Sequence, residues 1–147
     1  KYFYELLNQT IADANISGRM FSVFFLDMDD LKLVNDKFGH EAGDRLLCEV
    51  AKRARENISE KDIVARIGGD EFTFLMNGVH NREDARNEVE HILSMVNRPV
   101  TICGEMVNIS TSIGVSIFPF DGNEPEILIK RADAEMYAVK KARKRGC

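Results

Sequence analysis

No stretch of this 147-residue chain approaches the roughly 20 consecutive apolar residues that a membrane-spanning helix needs. The chain also lacks the charged, apolar and small-residue regions of a secretory leader. Both absences lead us to expect a cytoplasmic segment, within a full-length protein that could be membrane-anchored elsewhere. Cysteine is scarce: Cys48, Cys103 and Cys147 make an odd number, and no C-x-x-C pair occurs. That argues against a disulfide framework or a zinc site and fits reduced thiols. Cys48 reads as a small core residue of a helix. A strong charge bias is lacking as well. The 20 basic residues against 24 acidic ones give a net charge of −4, so nothing global calls for nucleic acid or membrane contact. Repeats, low-complexity tracts and long linkers are absent too. What remains is one domain over residues 1–147, with 44% hydrophobic and 30% charged residues. A chain of that length can bury about 68–70% of its unfolded surface. It opens directly in helical pattern, as a domain excised from a longer protein would.

The patterning alternates between helix and strand. Phe3, Leu6, Leu7, Ile11 and Ala14 form a helical stripe over residues 1–15. "FSVFFLDMDD" (21–30) is apolar up to Asp27, as a strand covered on both faces would be. A short helix over 30–38 stops at Gly39, and a long amphipathic helix starts near Glu41. Strands over 62–67 and 70–76 flank Gly68-Gly69, which predicts a two-residue hairpin with positive φ. Asn81 is placed to cap a helix that Pro99 closes. A small hairpin around Gly104 and a strand over 111–120 follow. Asn123 and Glu126 have capping-box spacing ahead of a final helix carrying Ile127, Leu128, Ala132, Met136 and Tyr137. The order implies an α+β fold, a mostly antiparallel central sheet covered by helices.

Acids gather where that sheet should end. Asp27, Asp29 and Asp30 close the first strand, and Asp70 and Glu71 open the one after Gly68-Gly69. Two carboxylates about 4 Å apart repel by roughly 4 kcal/mol at an effective dielectric near 20. A divalent cation would offset that, and hard oxygen ligands with open positions suit Mg²⁺, which favours phosphates as co-ligands. Solvated turn acids would have the same composition, but here two acidic clusters adjoin sheet-like runs. Glycines at such a tip let a ligand approach the backbone.

Lys32 lies at the start of a helix, where free N–H groups favour an anion. An ordinary surface lysine would read the same. "KKARKR" (140–145) suits either a solvated helix end or a tail folded back onto phosphates. Asn35 and Asp44 together carry the groups that read a guanine edge, although helix capping around "FGHEAGD" would also use them. His40, His80 and His91 lack partners at ligand spacing and read as structural.

Taken together, "GGDEF" (68–72), "LDMDDLKLVNDKFGHEAGD" (26–44), "TSIGVS" and "ADAEMYAVKKA" resemble the GGDEF domain of the diguanylate cyclase family. The resemblance spans nearly the whole chain. It implies a nucleotidyl-cyclase or polymerase-palm fold of ferredoxin-like type, and condensation of two GTP into cyclic di-GMP with loss of two pyrophosphates. It implies Mg²⁺, with Mn²⁺ an alternative, held by Asp27, Asp70, Glu71 and the Met28 carbonyl. Asp70 and Glu71 would serve catalysis. Lys32, Lys140 and Lys144 would bind phosphates, Asn35 and Asp44 guanine, and Gly68 and Gly69 would let the nucleotide lie against the hairpin. It further implies a two-fold homodimer, a monomeric form of the isolated domain, and a fused sensor or regulatory domain in a bacterial signalling protein. A catalytically silent GTP-binding regulatory module is the alternative.

The sequence departs from the family pattern in places. Leu31 replaces the usual Phe, and Arg143, Lys144 and Arg145 replace a late G-R-N stretch, so Lys144 stands where an arginine is usual. The product-inhibition motif R-x-x-D reads Ser59-Glu60-Lys61-Asp62, without its arginine. We therefore expect a degenerate inhibitory site at Ser59 and Asp62, with weak or no feedback.

Overall fold

The run "FSVFFLDM" forms β1 (Phe21–Met28), and every residue but Asp27 is buried. Burial on both faces follows from its place in the sheet. This computed structural model describes residues 2–145, and their side chains as far as Arg143. Around β1 run α1 (Tyr2–Ser17), α2 (Leu31–Phe38), α3 (His40–Glu56), β2 (Ile63–Arg66), β3 (Glu71–Met76), α4 (Arg82–Val96), β4 (Val100–Ile102), β5 (Glu105–Val107), β6 (Thr111–Phe118) and α5 (Pro125–Arg145). The main sheet has the order β2-β3-β1-β6, and all three pairings are antiparallel. With α2–α3 and α4 as crossovers, this is the βαββαβ arrangement of the ferredoxin-like type. β4 and β5 form a separate hairpin.

Each face of the sheet carries its own core. Phe24, Leu26, Phe72, Phe74 and Val115 pack beneath α3 and α4, which contribute Leu46, Val50, Ile92 and Val96. Phe21, Val23, Phe25 and Leu75 pack beneath α1 and α5, which contribute Leu7, Ile11, Leu128 and Met136. Truncating one such buried leucine to alanine typically costs about 2–5 kcal/mol.

Strand direction decides where chemistry can gather. In an antiparallel sheet, the end of β1 meets the beginnings of β3 and β6, and the β2–β3 tip lies at the same edge. Helix α5 starts beyond the far end of β6 and returns along it. Its last turns therefore reach back over the acidic edge. Gly114, mid-strand in β6, permits this: a Cβ there would overlap the Ala132 carbonyl oxygen and the Met136 backbone amide.

Four expectations are corrected. Gly68 and Gly69 do not form a positive-φ two-residue turn; positive φ falls instead at glycines 18, 39, 104 and 122. Ile67 N donates to Glu71 O at 3.0 Å, so the loop holds three residues and the primed-turn requirement lapses. Cys48 is in a helix but exposed, because α3 turns Leu46, Leu47 and Val50 inward and Cys48 out. Helix α5 begins at Pro125, and Glu124 O rather than an Asn123 cap accepts the first bond, from Leu128 N. Its buried face is Leu128, Ala132 and Met136, leaving Ile127 and Tyr137 exposed. The expected Asn81 cap is present, its Oδ1 accepting from Asp84 N at 2.8 Å.

Candidate functional site

The two acidic clusters that lie more than forty residues apart in the chain meet at one edge of the sheet. Asp27 and Glu71 are directly paired in the β1–β3 register. One residue on, Met28 N donates to Asp70 O at 3.3 Å. The Asp27 carboxyl is pushed above the usual range by burial and by the neighbouring Asp70 charge, with the Lys140 ammonium opposing. Glu71 is raised too, by burial and then by the charges of Asp27, Asp70 and Asp133. The corner thus holds more negative charge than it neutralises.

Lys140 reaches it from α5. Its Nζ donates to Asp27 Oδ2 at 2.8 Å and to the Met28 carbonyl at 3.0 Å. One turn further, Arg143 Nη1 donates to Asp29 Oδ2 at 2.8 Å and to the Thr111 carbonyl at 2.6 Å. Helical spacing of three therefore matches strand spacing of two. Asp29 also accepts from Ser110 and Ser112 at 2.5 and 2.8 Å. Burial works to raise its pKa, but the two hydroxyls and Arg143 together outweigh it and lower the value. Asp29 and Arg143 thus tie α5 to the sheet beside the site. The basic run "KKARKR" hinted at this without revealing which charges fold back. The Lys144 side chain lies outside the described residues.

Gly68 stands against the Glu71 carboxylate: a Cβ there would sit 2.6 Å from Glu71 Oε1. Gly69 faces open space. Arg66, which the sequence reading did not single out, secures this loop by donating to the Gly68 and Gly69 carbonyls at 2.7–3.1 Å. Only its place two residues before the glycines marked it.

Lys32 sits exposed in the first turn of α2 with no hydrogen bond or ion pair among the described residues. Asn35 lies in the next turn, and the α2–α3 elbow at Gly39 (φ 94°) brings Gly43 back against it, with Asp44 the next residue and exposed. The Asn35 amide fills the space that a side chain at Gly43 would need. Neither Asn35 nor Asp44 caps a helix, since Gly39 occupies both cap positions without a side-chain bond. Asn35 Oδ1 is buried with no partner, an unmet acceptor that calls for a donor from elsewhere.

Fitness for a divalent cation can be judged from Asp27. Its Oδ1 is buried and unpartnered, while Oδ2 and the Met28 carbonyl already coordinate a cationic group, the Lys140 ammonium. These are hard oxygen donors beside uncompensated charge, so the residues suit Mg²⁺. Among the described residues no three His, Cys, Asp or Glu side chains stand ready-assembled around a metal position; what already converges is Asp27 Oδ2 and the Met28 carbonyl, on the Lys140 ammonium.

Asp62 has a local structural role. Its Oδ1 accepts from Gly78 N at 3.2 Å, and its own N–H donates to Ser59 O at 3.0 Å. A cavity of about 600 Å³ opens at the other end of β1, lined by Thr10, Asp13, Arg19 and Lys61 among others, and it includes none of the predicted site residues.

Comparison with known proteins bears on the family and the fold. The family model "Diguanylate cyclase, GGDEF domain" matches residues 1–146. The bifunctional diguanylate cyclase/cyclic di-GMP phosphodiesterase MucR of Pseudomonas aeruginosa is 41% identical over 140 residues, covering 95% of this chain and 20% of MucR. Diguanylate cyclase TpbB of the same species is 35% identical, covering 95% of this chain and 32% of TpbB. The chain therefore spans a third or less of these relatives. The crystal structure of the GGDEF domain of YfiN, or TpbB, matches with a TM-score of 0.91 at 34% identity, covering 96% of this chain and 88% of that one. No helix among the described residues is long and apolar enough to cross a membrane.

Proposed function

The chain belongs to the diguanylate cyclase GGDEF domain family, and we propose that it condenses two GTP molecules into cyclic di-GMP, releasing two pyrophosphates. The observation that carries this reading is the β1–β3 register, which sets Asp27 opposite Glu71 and Met28 against Asp70. In this reading Asp27, Asp70, Glu71 and the Met28 carbonyl are the groups that would hold Mg²⁺, or Mn²⁺ in its place. A divalent cation bound there supplies neutralisation of the triphosphate and a lowered pKa for the attacking ribose 3′-hydroxyl.

The chain's own residues do the rest. Lys32, Lys140 and Lys144 bind the phosphates as point charges. Gly68 and Gly69 keep the hairpin tip clear so that the nucleotide can lie against it. Asn35 and Asp44 read the guanine: Asp44 accepts from N1–H and the N2 amino group, and the Asn35 amide completes the edge. A carboxylate at Asp44 also disfavours adenine, whose N1 is an acceptor. In this reading Asp70 takes the proton from the attacking hydroxyl.

The α-phosphate of one GTP must meet the 3′-hydroxyl of another. One domain offers one such site, so two copies facing across a two-fold axis would supply the encounter. Bringing the copies together would fall to a fused sensor or regulatory segment.

Pyrophosphate release from GTP with Mg²⁺ tests this reading, with the chain at high concentration and Asp70→Asn alongside. We expect turnover by the wild type and its loss in the variant. GTP binding without turnover would instead support a silent regulatory module.

A further inference from the structure

The Asp27–Met28 corner already holds a cation that belongs to the chain. Lys140 Nζ binds Asp27 Oδ2 and the Met28 carbonyl at 2.8 and 3.0 Å. The pair is well shielded, with 16% of the lysine side chain and 14% of the aspartate side chain exposed. These two oxygens are among those assigned above to the divalent cation, and the inference rests on that assignment.

An ammonium and a divalent cation cannot share these oxygens. Mg²⁺ sits about 2.0–2.1 Å from its ligands, and an ammonium hydrogen-bonded to the same atoms at about 2.8 Å would stand only a few ångströms away. Removing the ammonium by itself is no easier, because it strands a largely buried carboxylate. The two cations must therefore exchange, and the displaced ammonium needs another anion within the reach of its own side chain. A triphosphate lying against the same edge provides one. Asp27 Oδ1, buried and unpartnered, leaves the incoming cation a second oxygen on the same carboxylate.

We propose that Lys140 is an internal counterion that holds the Asp27–Met28 corner until a nucleoside triphosphate draws it away, so that divalent cation and nucleotide bind as one coupled event. The nucleotide-free chain then binds divalent cations weakly, and each ligand strengthens the other by the same factor. Lys140 thus does two things in turn: it occupies the metal position, and then it contacts phosphate.

Mn²⁺ binding followed by electron paramagnetic resonance tests this without turnover. The free-ion signal is titrated with the nucleotide-free chain, as wild type, Lys140→Met and Lys140→Gln, after thermal melts establish that each variant folds. We expect both variants to bind Mn²⁺ alone at least tenfold more tightly than wild type, and Asp27→Asn added to Lys140→Met to abolish the gain. Binding no tighter than wild type in whichever variant folds overturns the inference. A parallel titration with a non-hydrolysable GTP analogue separates this failure from the larger one. If the wild type binds Mn²⁺ with the analogue and loses it on Asp27→Asn, the metal assignment survives and only the counterion role falls. If it binds none, the assignment and the inference fall together. Should neither variant fold, the wild type decides: Mn²⁺ affinity must rise at least tenfold with the analogue, and an unchanged affinity refutes the coupling.

Discussion

Asp27 and Glu71 occupy the same rung of the β1–β3 ladder. Like charges directly opposite each other destabilise a sheet, and here burial sharpens the conflict by raising the pKa of both carboxyls. The arrangement makes sense as a site whose charge is completed by a ligand.

Glu71→Gln should therefore separate stability from function. In the absence of nucleotide and metal the variant should melt higher, by roughly 1–4 °C for the relief of about 0.2–1 kcal/mol. Cyclic di-GMP formation should fall by about 10²-fold or more, the scale on which loss of an electrostatic stabiliser usually acts. Thermal melts and product chromatography check the two halves, and a variant that is both less stable and fully active would refute the argument.

Two glycines should respond to alanine in opposite ways. At Gly68 the new Cβ meets the end of a flexible side chain, Glu71 Oε1 at 2.6 Å, so the fold should survive with little loss while turnover drops. At Gly114 it meets the backbone of Ala132 and Met136. Helix α5 must then lift, and we expect a loss of about 1–3 kcal/mol or more in denaturant unfolding.

Tyr4 of α1 and Glu126 at the start of α5 interact electrostatically through the phenol and the carboxylate. This raises Tyr4 to about 12 and lowers Glu126. The Tyr4 contribution is present below its unfolded value of about 10 and lost as pH rises through the raised one. The Glu126 contribution is present above its unfolded value of about 4.3 and lost as pH falls through the lowered one. Tyrosinate absorbance should show Tyr4 titrating at about 12, and Glu126→Gln should return it toward about 10.

Feedback at Ser59–Asp62 should be weak or absent. The arginine of the motif is missing, and Asp62 is engaged with Gly78 N. Calorimetry with cyclic di-GMP should show no tight binding that depends on Asp62. Tight binding abolished by Asp62→Ala would overturn this.

Much of the fold was legible because burial writes a periodic signature. The near-continuous apolar run of β1 announced a strand covered on both faces, and the stripe of α3 announced its inward side. Turn chemistry was less reliable. Gly68-Gly69 looked like a positive-φ turn, yet what matters at Gly68 is the space taken by Glu71. The same holds for Asn123, where spacing fitted a cap but the helix starts at Pro125.

The sequence by itself determined the element order, the apolar faces and the family motifs, because these depend on residues near one another in the chain. Only the tertiary structure decided that Asp27 faces Glu71, that Lys140 and Arg143 return to Asp27 and Asp29, and that Asn35 lies against Gly43. Such pairings depend on strand register and helix direction, which are settled by packing across the whole sheet. No local run of residues encodes them.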